Sequence, residues 1–140
     1  MSLLARFVLG VIAVTVAVGI GVAVIADTSV ACEAASAVAL DAIETGARRA
    51  FEPLELSGGQ KQDSTIQFAT GDQVSGVLVG ASTPAGDGVW VMDEDSYSGS
   101  GSGLVYAVND AARSTTIWGE DTNFDPVDSS EVSDVESCLE

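Results

Sequence analysis

The chain has no histidine and a single lysine, Lys61, among 140 residues. Without histidine, the Ser-His-Asp and Cys-His arrangements of nucleophilic catalysis lack their base. A zinc shell built from two cysteines alone is incomplete. Basic residues are scarce altogether: five, against 21 acidic ones, for a formal net charge of −16. A surface of that sign repels phosphate backbones and anionic headgroups, which excludes nucleic acid as a partner. The 21 carboxylates contain no pair set apart from the others, so acid–base chemistry has no nominated residues. The expectation is a protein that is not an enzyme and carries no cofactor.

What the chain does have is one long apolar run. Phe7 to Ala26 holds twenty residues without a charge, an amide side chain or a proline. As a helix it would span about 30 Å, the thickness of a bilayer's hydrocarbon core. It exceeds the roughly 7–15 residues of a secretory signal's apolar core, which favours a retained anchor over cleavage after Ala26. Its composition is Ala, Val and Gly, with Gly10, Gly19 and Gly21, and small residues let neighbouring helices pack closely. Phe7, these three glycines and Ala26 are therefore the candidate packing residues. Arg6 lies before the run, and Asp27 and Glu33 follow it. The positive-inside rule then puts residues 1–6 in the cytoplasm and everything beyond Ala26 outside.

Removing residues 1–26 takes away only Arg6, so the rest carries 21 acidic and four basic side chains, a net of −17. Cys32 and Cys138 stand near its two ends. An even count in an exported chain reads as one disulfide, which in the chain-entropy model contributes about 4–5 kcal/mol for a loop of this length.

Ser29 to Phe51 predicts an amphipathic helix that continues from the apolar one. Ala31, Ala35, Val38, Ala42, Ile43, Ala47 and Phe51 approximate a stripe at three- and four-residue steps. Glu44 and Arg48 form a favourable i,i+4 pair, and Pro53 ends the helix. Residues 27–56 are thus a helix and its linker, with Ser57 to Gln60 still linker in character. Strands are predicted at 65–69, 73–81, 89–92, 104–108 and 114–118, separated by Gly, Pro and Asn-Asp turns. Residues 57–119 would form a small antiparallel sheet with one face on the helix, and 120–140 an acidic tail. The fold class expected is α+β. Trp90, Tyr97, Tyr106 and Trp118 read as core and sheet-surface residues.

Asp93, Glu94 and Asp95 are weak metal candidates, because hard cations take several carboxylate oxygens. The spacing is not that of an EF-hand, and Asp87, Glu120 or Asp121 would have to complete the site. The Gly-Ser repeat at 99–103 is followed by strand character rather than a helix, so it reads as a flexible loop and not a phosphate cradle.

A short head at 1–6, an apolar Ala/Val/Gly rod at 7–26, an amphipathic helix and a small β domain together resemble type IV pilins and pilin-like proteins. The acidic balance and small side chains resemble proteins of salt-loving archaea. Arg6 stands directly before Phe7, and Val11 occupies the place where many bacterial pilins carry Glu. The resemblance implies rods bundled in a filament core or seated in lipid, with β domains facing solvent. The function expected is a membrane-anchored structural subunit at the cell surface that associates with lipid and with copies of itself. Two alternatives stand beside it: a structural membrane protein of a halophilic archaeal virus particle, and a tethered or secreted module binding a cation or surface glycan through residues 93–103.

Overall fold

A computed structural model describes residues 32–100, 103–121 and 123–140. The candidate rod and its packing residues Phe7, Gly10, Gly19, Gly21 and Ala26, together with Ala31, lie outside the described residues. From Cys32 onward the chain forms one compact unit.

Its centre is a five-stranded antiparallel sheet in which sequence neighbours are spatial neighbours throughout. The strands are β1 (Glu33–Ala34), β2 (Ser57–Gln67), β3 (Gln73–Thr83), β4 (Gly86–Asp93) and β5 (Val105–Ala107). β3 and β4 are buried over Gly76–Ala81 and Gly88–Met92, so both faces of the sheet are covered there. Central strands buried on two sides read as continuous apolar runs, as Val77-Leu78-Val79 and Val89-Trp90-Val91-Met92 do. Register pairs Ile66 with Val74, Val79 with Trp90, and Val91 with Tyr106. At the β3–β4 turn the Thr83 hydroxyl donates to the Gly86 carbonyl at 2.7 Å and accepts from the Ala85 N–H at 3.1 Å.

One face of the sheet carries Val77, Val79, Ala81, Trp90, Met92 and Ala107, packed against Ala39, Ile43 and Ala112. Those three come from the helices α1 (Ala37–Glu44) and α3 (Asp110–Thr115), with α2 (Glu94–Ser98) adding Tyr97 beside them. The other face carries Ile66, Leu78, Val89 and Val91 and is covered by Val108, Val127 and Val135, the last from α4 (Ser129–Ser137). Gly80 makes that cover fit: a Cβ there would sit 2.6 Å from Val135 Cγ1 and 3.2 Å from Leu139 Cδ1.

The structure overturns the expected fold in its N-terminal part. No helix runs from Cys32 to Phe51. Cys32 leads into strand β1, the helix occupies only Ala37–Glu44, and Ala47 bridges Thr116 as extended chain. Ser36, in extended conformation, starts α1 by accepting from the Ala39 N–H at 3.1 Å. Val38 of the expected stripe is 50% exposed, while Ala39 and Ile43 enter the core. The Glu44–Arg48 pair is replaced: Glu44 accepts from the Leu56 N–H, and Arg48 pairs with Glu120. High alanine propensity loses here to tertiary partners, which each peel a residue off the helix. Among the described residues, no helix is long and apolar enough to cross a membrane.

Three further corrections concern element type. Ser57 to Gln60 is the start of β2 and not a linker; Gly58, at φ +66°, and Gly59 form an irregularity between the Ser57–Ser82 and Gln60–Gly80 pairings. Residues 114–118 are not a fifth strand, because α3 runs to Thr115. The tail is not featureless, since α4 docks on the sheet through Val135.

Candidate functional site

A covalent clasp fixes where the domain is closed. Cys32 and Cys138 are joined by a disulfide with Cα atoms 5.7 Å apart and a sequence separation of 106. Strand β1 on one side of it is short, yet it is tied down. Lys61 Nζ lies 3.1 Å from Glu33 and 5.6 Å from the centre of the Tyr97 ring, and the Tyr97 hydroxyl accepts from the Ser36 N–H at 3.0 Å. The hydrogen bond to Glu33, and then its charge, raise the Lys61 pKa above the ordinary lysine value. On the other side, α4 starts at Asp128, whose carboxylate accepts from the Ser130 N–H and hydroxyl, each at 2.9 Å. Those two bonds, the backbone one foremost, hold the Asp128 carboxyl below its ordinary range.

The acidic segment after β4 does a structural job. Asp93 Oδ1 accepts from the Ser96 N–H at 3.0 Å, capping α2, and from the Leu104 N–H at 3.2 Å, fixing the chain's return into β5. Glu94 and Asp95 are exposed in the first turn of α2. Asp87 accepts from the Ser82 hydroxyl at 2.9 Å, and Glu120 faces Arg48. Among the described residues no group of three or more such side chains is gathered to hold a metal ion. Residues 101 and 102 of the Gly-Ser repeat lie outside the described residues.

A third feature was not visible in the sequence. A cavity of about 220 Å3 is lined by Arg48, Arg113, Thr116, Trp118, Gly119 and Glu120. A second, of about 230 Å3, shares Trp118 and runs along Thr45, Ser96 and Val105. The indole is fixed: its Nε1–H donates to the Ile43 carbonyl at 3.0 Å, and it packs against Gly46, where any Cβ would overlap the ring. Arg48 is fixed too, since its Nε–H donates to the Arg113 carbonyl at 3.0 Å. Arg113 is held by Asp125 at 2.8 Å and Asp110 at 3.7 Å. The ion-pair partner of Arg48 is Glu120, at 3.5 Å. Arg48 and Trp118 are 70 positions apart in sequence, so no spacing signal joined them; the Ala47–Thr116 bridge does.

No protein-family model, curated protein or solved structure matches this chain.

Proposed function

We propose that this chain is a structural, non-enzymatic surface protein adapted to high salt, a subunit of a pilin-like filament or surface assembly. In this reading the apolar run at 7–26 anchors it in lipid or among the same runs of sibling chains. The N-terminus is cytoplasmic and the acidic domain faces the exterior. The observation that carries the reading is the Cys32–Cys138 bridge, which begins six residues beyond Ala26. Structural disulfides persist in oxidising compartments, so a bridged domain directly after an apolar run fits export across a membrane. The net charge of −17 beyond Ala26 supports the saline setting, because concentrated salt screens carboxylate repulsion that dilute buffer leaves in place.

Fractionation of native cells or particles, followed by electron microscopy of the fraction holding the chain, tests this. Filaments, or membrane that retains the chain against alkaline washing, are expected. A monomer recovered in the soluble fraction under all conditions would refute the anchor.

A further inference from the structure

We propose that the cavity beside Trp118 binds a carboxylate-bearing sugar, a uronic-acid residue of a glycan. Cations are rare in this domain: Arg48, Arg49, Lys61 and Arg113 are the only ones from Cys32 onward. Two of the four line a single cavity whose lining includes one acidic residue, Glu120, with Asp110 and Asp125 beside Arg113. Arg113 is committed to Asp125. Arg48 is not, because its 3.5 Å contact with Glu120 is longer than the roughly 2.7–2.9 Å of a charge-assisted hydrogen bond. A guanidinium that is positioned through Nε, lines a cavity and has only a long ion-pair contact there matches the two oxygens of a carboxylate.

The indole decides the rest of the ligand. Trp118 cannot turn away, since its N–H is bound to Ile43 and its ring is seated on Gly46. A rigid aromatic wall with a few polar groups beside it is the composition of a small-ligand site. The C–H face of a pyranose packs on such a wall while its carboxylate reaches the guanidinium. A space of about 220 Å3 has room for one sugar ring.

An acidic peptide fits less well. Peptides gain affinity at a sheet margin from free backbone groups, and here those groups are taken. Ala107 N–H donates to the Trp118 carbonyl at 3.1 Å, and Ile117 N–H to the Gly46 carbonyl at 2.9 Å. A small anion such as acetate would use Arg48 but not the indole. Long-range repulsion from the acidic surface is screened at high ionic strength, where the Debye length falls to about 3 Å at 1 M, and a partly buried pair is screened much less.

Tryptophan fluorescence of the full chain in detergent and concentrated salt tests the assignment. Trp90 is fully buried, so the half-buried Trp118 reports on the cavity. Titration with glucuronate is expected to give a saturable change, with glucose, acetate and a hexaglutamate peptide each weaker by about tenfold or more, the loss of one good polar contact or more. Arg48→Gln should weaken glucuronate by about tenfold with the melting temperature held, and Arg48→Lys should fall between the two. No response to glucuronate, an equal response to acetate or hexaglutamate, or an Arg48→Lys chain that melts and binds like the unaltered one would overturn it.

Discussion

On the sheet face that carries Trp90, three short helices bring Ala39, Ile43, Tyr97 and Ala112 into contact with the strands. On the face that carries Leu78 and Val91, one helix of nine residues brings Val132 and Val135. The first cover is held by volume and by polar ties spread over many residues. Trp90 Nε1–H donates to the Thr116 hydroxyl at 2.9 Å inside the core, and Ser36, Asp93 and Asn109 each cap a helix. The second cover has a sequence, SSEVSDVES, that offers little apolar surface, and a helix so short is marginal alone. It is held by a covalent bond from Cys138 to Cys32, helped by two polar ties, Glu131 accepting from the Ser64 hydroxyl at 2.8 Å and Glu136 from the Asn109 amide at 2.9 Å. One face is packed into place, whereas the other is stapled.

The largest expected effect comes from removing the staple. Cys32→Ser with Cys138→Ser should lower unfolding stability by about 4–5 kcal/mol in the chain-entropy model, read from denaturant midpoints at fixed salt. Amides of α4 should then exchange with solvent before those of β3 and β4. Unchanged α4 protection would end the contrast between the faces. On the packed face, Trp90→Ala should lose about 3–5 kcal/mol by emptying the core, seen as a fall in melting temperature with the disulfide still intact. Gly80→Ala pushes a methyl into Val135 and Leu139 and should cost about 1–3 kcal/mol, less in the chain without the bridge, where α4 is free to shift. Asp93→Ala removes a cap and should cost about 1 kcal/mol; thermal melts check it.

The smallest effect is one of pH. Asp128 has a folded pKa below its unfolded value of about 3.9, so the stability it contributes is present above that value and is lost as pH falls through the lowered one. Asp128→Asn should flatten the acid limb of a stability profile while leaving neutral pH nearly unchanged. Lys61 runs the other way. Its stabilisation is present below about 10.4 and is lost as pH rises through the raised folded value.

Strands β3 and β4 were legible because their apolar residues run together between turn residues, and the antiparallel sheet followed from them. The Cys32–Cys138 bridge was legible from cysteine count and position. The remainder was hidden for identifiable reasons. Ser29 to Phe51 has helix-forming composition, yet the disulfide, the Glu33–Lys61 pair and the Ala47–Thr116 bridge hold much of it extended. Two signals were in the sequence and outweighed by composition. Asn109 looks like part of a turn but caps α3, accepting from the Ala112 N–H at 3.0 Å. Asp128, three residues before Glu131, begins α4 within what looked like an acidic tail. The Trp118 cavity had no local signal at all, since its walls come from positions 48, 113, 116 and 118–120. Asp93 suggests a metal ligand because it is a carboxylate among carboxylates, and only its bonds to Ser96 and Leu104 reveal a cap.

The most direct test of a tethered, clasped surface subunit is the intact mass of the chain recovered from its native source without reduction. The expected polypeptide still includes residues 7–26 and is lighter by the hydrogens lost in one disulfide. A native chain that begins at Asp27, or one that carries two free thiols, would contradict that reading.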